Sequence, residues 1–354
     1  MRTDLLSVLR CPRCHAERSF DCSVRTQTED EVREADLVCR GCGERRAVTG
    51  GVADLMVDPP GFVLREQAGL DRFADLMRAD GWDRQRVLRL PHEPSGYWTH
   101  QRLLLNQVLA TVPLRAGDWI LDVGSNTCWA SASFAERGLR PIALDINAGE
   151  RQGLGTADWW LDDKGLYMER VLGLMFDLPL AGDALDWVWC CEVLHHNHRR
   201  NLWRTMREIY RVLKPGGALI VANETLRNLR EPKLDPGKAV AEYDGYEHAF
   251  LRHSYVKAAR DAGFAIEVRG PWYHTIFNPK TIGLSERMTG LEGFRAAAAH
   301  AVRRSAPARR AYLAWKSYLA GGTALHMLAT KPGDRQPAHA APGAAGRADR
   351  GPLR

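Results

Sequence analysis

The apolar positions of this chain change their period along its length. From residue 62 to about 111 they recur at helical spacing. "QAGLDRFADLMRADGW" puts Leu70, Phe73, Leu76 and Met77 on one face, and "YWTHQRLLLNQVLATV" does the same with Leu104, Val108 and Val112. From 116 to 332, short apolar runs alternate with helical stretches. "DWILDV" (118–123), "RPIALDI" (140–146), "VLGLMFD" (171–177), "ALDWVWCC" (184–191) and "GALIVAN" (217–223) predict strands, with a helix before the last of them stopped by Pro215 and Gly216. "HSYVKAARDAGF", capped by Ser254 and stopped at Gly263, predicts a further helix leading into "AIEVRG", and "TALHMLATKP" (323–332) is a last strand. This alternation predicts an α/β fold with a doubly wound, mostly parallel sheet and helices on both faces.

The same reading sets boundaries. Residues 1–57 precede the helical pattern and carry strand-like "DLVCRGCGERRAV"; 58–115 form a helical linker or cap over a sheet edge or substrate opening, or simply pack. Within 116–332, a segment at 278–320 is a helical insert, and 333–354, rich in Pro, Gly and Ala without periodicity, is expected to be disordered.

Charge and cysteine content refine this picture. The net charge is +6, but the stretch from residue 301 holds ten Lys and Arg against two Asp, which leaves the rest of the chain close to neutral. A broad basic nucleic-acid face is therefore not expected, and Arg303, Arg304, Arg309 and Arg310 read first as a solvated face. There is no uninterrupted apolar run of membrane-spanning length, and the first ten residues are too charged for a secretory signal, so a cytoplasmic protein without a membrane span is expected. Four of the eight cysteines form two C-x-x-C pairs, Cys11/Cys14 and Cys39/Cys42. Without an export signal such pairs read as metal ligands before disulfides. Four thiolates around Zn2+ leave no open coordination position, so the metal would be structural, supplying about 10–16 kcal/mol of apparent binding energy to a segment too small to fold alone.

The chemistry concentrates after the first strand of the sheet. "LDVGSNTCWASASFAERG" (121–138) is a strand that breaks at Gly124 and enters a helix near Cys128, and Asp145 ends the second strand about 20 residues later, where a carboxylate can take ribose hydroxyls. A pyrophosphate needs a glycine-rich loop so that backbone N–H groups approach it, and Gly-Ser-Asn-Thr-Cys-Trp would crowd it. S-adenosylmethionine has no phosphate; it needs a sharp turn at Gly124 and tolerance of the left-handed region, which Asn126 has. Asp145 could instead cap a helix.

In order and spacing, "ILDVGSNTCW", "IALDIN", "FDLPLAGDALDWVWCCEVLHH" and "REIYRVLKPGGALIVANET" resemble a class I S-adenosylmethionine-dependent methyltransferase of the group acting on metabolites, with its Rossmann-like seven-stranded sheet. The resemblance covers about 116–332. It implies that Asp122 and Gly124 contact the methionine part of the cofactor, that Asp145 takes the ribose hydroxyls, that Asp177 accepts from the adenine amine, and that Glu192 borders the donor. Asn126, Ile146 and Leu178 are expected to line the cofactor beside them, and Asp177 could instead be a solvated loop acid. Asn126 and Cys128 stand where this family usually has glycine. "DLLSVLRCPRC", "CRGCG" and "GGVADLM" resemble the Trm112-like zinc ribbon over about 55 residues.

Methyl transfer is an in-line displacement, and a base is needed only if the acceptor must lose a proton. His195 and His196 in "CCEVLHHNH" could serve, or could pack and cap. Tyr246, Glu247 and His248 could shape an acceptor site, or belong to a polar surface loop. A small-molecule or glycan-like acceptor is expected, because no Asn-Pro-Pro-aromatic or Asp-Pro-Pro-aromatic motif follows the fourth strand. The alternatives are a ribosomal-RNA guanine methyltransferase, one family of which also joins a four-cysteine module to this fold, and a non-catalytic binding protein.

Overall fold

A computed structural model describes residues 1–29, 31–198, 200–230, 248–269, 305–320 and 324–333. Strands β1 (Phe20–Gln27), β2 (Val32–Cys39), β3 (Arg45–Thr49) and β4 (Val52–Asp54) come from the cysteine-bearing segment. Helices α1 (Gly61–Ala79), α2 (Arg84–Leu88) and α3 (Gly96–Thr111) follow. The rest alternates: β5 (Trp119–Val123), α4 (Trp129–Ala135), β6 (Arg140–Asp145), α5 (Ala157–Lys164), β7 (Glu169–Leu172), β8 (Leu185–Cys191), α6 (Leu202–Val212), β9 (Leu213–Thr225), α7 (Arg252–Asp261), β10 (Ala265–Arg269), α8 (Ala306–Trp315) and β11 (Ala324–Thr330).

The eleven strands among the described residues form one sheet, in the order β1-β2-β3-β4-β7-β6-β5-β8-β9-β11-β10. This corrects the expectation of a seven-stranded sheet beside a small separate ribbon. β4 pairs in parallel with β7, Val52 opposite Arg170 and Asp54 opposite Leu172, so the ribbon's strands continue the sheet. Seven strands, β5 to β11, come from the alternating segment. An open edge strand exposes unpaired N–H and C=O groups, and covering it satisfies them. The join is also ionic: Arg170, buried on β7, pairs with Glu31 and with Asp158 of α5, and Arg33 of β2 holds the same Asp158 at 2.7 Å.

From β5 the chain winds outward through β6 and β7, then returns to place β8 and β9 on the other side. The strand order therefore reverses between β5 and β8. Loops at the carboxyl ends of those strands diverge there and leave a crevice. On one face, Leu104, Leu105 and Val108 of α3 pack on Ile120, Trp187 and Trp189; on the other, Met206 and Ile209 of α6 lie against Val188 and Cys190.

Several boundaries differ from expectation. β7 ends at Leu172, because the chain turns off at Gly173 to form the site wall, and β9 starts at Leu213, before the expected Pro215 and Gly216 stop. Ser254 lies within α7, which starts at Arg252. The buried stripe of α1 is Val63, Glu66 and Gly69, while Leu76 is 40% exposed. Most of the helical insert and nearly all of the tail lie outside the described residues. No helix among the described residues is long and apolar enough to cross a membrane.

Candidate donor and acceptor site

β5 is buried at every position and delivers the chain to Gly124 at φ +68°. A Cβ there would sit 2.4 Å from Val193 Cγ2, so glycine is required by both the dihedral and the space. Asn126 (φ 46°) and Cys128 (φ 57°) also take the left-handed conformation. The loop thus keeps a glycine-like path without the glycines. Cys128 opens α4 and its side chain turns into the core beside Ala132, Leu154 and Trp160, away from the two cavities that meet at the loop. Trp160 Nε1 donates to Thr127 O at 2.9 Å and fixes the loop from α5.

Two carboxylates brace this turn. Asp122 Oδ2 accepts from Ser131 N and Oγ (3.1 and 2.7 Å), and burial pushes its carboxyl up to about 7. Asp145 ends β6, where Oδ2 accepts from Asn126 N at 2.8 Å and Oδ1 from Asn147 N at 2.9 Å. Burial raises its pKa against the pull of those N–H groups. Each oxygen of Asp145 keeps a second lone pair for a ligand hydroxyl.

Two cavities meet at the loop. The smaller, about 140 Å3, is walled by Asp145, Ile146, Asn147, Gly173, Met175 and His196. The larger, about 680 Å3, lies beneath α1, α2 and α3 and is lined by Trp82, Trp98, Trp129, Trp159 and Trp189. Trp98 is the hub of that wall, with ring centroids 6.2 Å from Trp82 and 5.6 Å from Trp129. α3 has both roles open in the sequence: its middle packs on the sheet, while Tyr97, Trp98 and Gln101 at its start line the cavity. Gly124, Asn126, Gln152 and Glu192 line both cavities.

Glu192, one residue past β8, is itself left-handed (φ 51°). Its Oε2 accepts from Tyr97 OH and from Gln101 Nε2 (2.9 Å), and its Oε1 accepts from Asn223 Nδ2 at 2.6 Å. Three donors from α3 and β9 thus hold one carboxylate where the cavities join. Burial nevertheless raises its pKa.

The remaining candidates are distributed differently. Ile146 lines the smaller cavity; Leu178 is fully buried and lines neither. Asp177 also lines neither: Arg10 Nη2 donates to it at 2.9 Å, which ties it to the ribbon. The positions after β7 that do reach the smaller cavity are Gly173 and Met175. His195 is buried with Nδ1 2.8 Å from Glu224 Oε1 and lines neither cavity, while His196 holds Glu66 of α1 at 2.9 Å and borders the smaller one. The N–H of His248 donates to His195 O at 2.6 Å; Tyr246 and Glu247 lie outside the described residues. Gln152, Gly173, Met175, Trp98 and Trp129 were not read from the sequence as site residues. Nothing local distinguishes them; they become a site only when loops and the helical cap converge.

Far along the sheet order, Cys11, Cys14, Cys39 and Cys42 bring their Sγ atoms within 4.8 Å of one another. Cys11 and Cys42 are 3.8 Å apart and Cys14 and Cys39 3.7 Å. A tetrahedron with Zn–S bonds of about 2.3 Å has S···S edges of about 3.8 Å, so the donor set fits Zn2+ and leaves no fifth position for chemistry. Gly41 N donates to Cys39 Sγ at 3.3 Å, as suits a thiolate.

Residues 121–221 match the model of a methyltransferase domain. The chain is 28% identical over 166 residues to 27-O-demethylrifamycin SV methyltransferase of Amycolatopsis mediterranei (strain S699), a match covering 44% of this chain and 56% of that protein. It is 30% identical over 175 residues to demethylmenaquinone methyltransferase of Thermobifida fusca (strain YX), covering 48% and 63%. The chain thus spans little more than half the length of these curated relatives. Among solved structures, a complex between the Haloferax volcanii Trm112 methyltransferase activator and a methyltransferase aligns at 20% identity and TM-score 0.45, over 74% of this chain and 97% of that one. The matched segment contains Gly124, Asp145 and Glu192 and the reversal of strand order that opens the crevice between them, and it is a methyltransferase domain of the class I S-adenosylmethionine-dependent kind.

Proposed function

We propose that the protein transfers a methyl group from S-adenosylmethionine to a small-molecule acceptor seated under the helical cap. The observation that carries this reading is the pair of cavities sharing Gly124, Asn126, Gln152 and Glu192: one suits a nucleoside, the other a larger apolar body. The donor's parts find matching groups. Asp145 offers lone pairs to ribose hydroxyls, Ile146 and Met175 offer apolar flanks to adenine, and buried Asn126 Oδ1 has no hydrogen-bond partner among the described residues, as suits a ligand ammonium. When bound, the cofactor supplies an electrophilic methyl whose displaced sulfur keeps the bond pair. The chain's own task is then to orient the acceptor and exclude water, which is where most of the rate gain of a displacement arises. The names of two relatives, a 27-O-demethylrifamycin SV methyltransferase and a demethylmenaquinone methyltransferase, support a small-molecule acceptor.

Two measurements test this reading. Calorimetry with S-adenosylhomocysteine should show saturable binding. Transfer of labelled methyl should occur into a metabolite extract and not into total RNA, with the product mass identifying the acceptor. Absence of nucleoside binding would overturn the reading, and label in RNA alone would favour the ribosomal-RNA alternative.

A further inference from the structure

The acceptor cavity combines a wall of indoles with a carboxylate, Glu192, where the two cavities join. Asp83 and Asp122 also line it, but Asp83 caps α2 through Arg86 N and Asp122 Oδ2 is taken up by Ser131 N and Oγ. Trp82, Trp98, Trp129, Trp159 and Trp189 give flat apolar surface suited to a ring system, and Glu192 is the ionisable group lining both cavities. Neither histidine of "LHH" competes for the role of base. His195 faces Glu224 and lines neither of the two cavities, and His196 faces Glu66 at the nucleoside end. Glu192 Oε2 is taken up by Tyr97 and Gln101, while Oε1 accepts from Asn223 and keeps a lone pair.

Resting on the methyl-transfer reading, we propose that Glu192 Oε1 is the general base of the reaction and that the acceptor's nucleophile is a hydroxyl on an apolar ring compound. The acceptor O–H bond breaks and its proton passes to Glu192. The pair left on oxygen forms the new O–C bond, as the methyl–sulfur bond breaks and its pair stays on sulfur. The carboxylic acid then returns its proton to solvent. Charge favours a neutral hydroxyl over an ammonium here. A carboxylate beside a sulfonium becomes a neutral acid beside a neutral thioether, so transfer removes two opposite charges from a desolvated site, whereas a cationic amine would add a second positive charge before reaction. The titratable groups facing Glu192 are Tyr97 of α3, Cys191 of β8, and His195 and Glu224 behind it. Burial lifts the Glu192 carboxyl, which strengthens it as a base.

The test uses the full chain, zinc-loaded, with 7-hydroxycoumarin and the cationic 7-(aminomethyl)coumarin as acceptor probes, and compares wild type with Glu192→Gln and Glu192→Asp. S-adenosylhomocysteine binding by calorimetry shows whether each variant keeps its fold and donor site. The expected result is methyl transfer to the hydroxyl probe, with a loss of about 10²–10⁴-fold in Glu192→Gln. Affinity for S-adenosylhomocysteine should stay within a few-fold, and Glu192→Asp should recover part of the rate. A second readout needs no turnover: with S-adenosylhomocysteine present, fluorescence-monitored binding of 7-hydroxycoumarin should weaken as pH falls through the Glu192 titration, and this dependence should vanish in Glu192→Gln. The base assignment is overturned if Glu192→Gln keeps rate and pH dependence, or if rate and nucleoside affinity fall together. Transfer to the amino probe in preference, or to neither probe, overturns the hydroxyl class. Loss of nucleoside binding by the wild type instead overturns the methyl-transfer reading itself.

Discussion

The backbone N–H of Asn126 donates to Asp145 Oδ2 at 2.8 Å, so the carboxylate at the end of β6 holds the loop that follows β5. The residue expected to bind the nucleoside also builds its binding loop. Asp145→Ala should therefore weaken S-adenosylhomocysteine binding by about 1–3 kcal/mol, through a lost charged hydrogen bond and a loosened turn. Calorimetry reads this directly; unchanged affinity would remove Asp145 from the site.

The turn at Gly124 predicts a coupled pair. Gly124→Ala forces a Cβ into the left-handed region, costing about 1–2 kcal/mol, and presses it on Val193 Cγ2. Adding Val193→Ala removes the steric part and leaves the dihedral part. The double variant should thus be less destabilised in chemical denaturation than the two single effects summed. Strict additivity would show that the contact with Val193 is not what restricts this position.

Much of this site was legible because it depends on local pattern. Gly124, Asp145, Ile146 and Glu192 lie at strand ends, where an alternating α/β sequence puts its crevice, and the structure brings them together. Asn126 could be read as a glycine substitute because its short amide tolerates positive φ; Cys128 adopts it too, without that chemical hint. Asp177 lines neither cavity, and Arg10, which donates to it, lies in the ribbon far away in sequence, where local pattern could not place it. The union of ribbon and sheet was hidden for the same reason. It depends on β4 meeting β7 and on Arg170 meeting Glu31, relationships that no periodicity encodes. The indole wall escaped because Trp98 on α3 and Trp129 on α4 each look like ordinary packing residues.

That union predicts that metal loss reaches beyond the ribbon. Cys11→Ser replaces a buried ligand and should lower zinc content from one equivalent and reduce the melting temperature. Because β4 covers β7, hydrogen exchange should also rise along β7 in the variant. Full zinc retention would exclude the four-thiolate assignment, and unchanged protection of β7 would show that the strands pair independently of the metal.

Stability should vary with pH through the buried carboxylates. Burial sets the native Asp122 carboxyl at about 7, against about 3.9 in an unfolded chain. Between those values the native state holds a proton that the unfolded state has released. Stability from this group is thus present below the unfolded value and declines as pH rises through the window from about 4 to 7, by at most about 1.4 kcal/mol per pH unit. Glu169, also raised to about 7 by burial, acts with the same sign. Arg170 holds Glu31 and Arg33 holds Asp158 below the ordinary carboxylate range, so these act with the opposite sign and lose their contribution in acid. Asp122→Asn keeps an acceptor for Ser131 and removes the titration. Urea denaturation across pH 4–8 should therefore show a shallower decline toward neutral pH in Asp122→Asn than in the wild type, with the acid limb unchanged. Identical slopes would mean that Asp122 stays ionised in the native protein, held by Ser131 strongly enough to offset its burial.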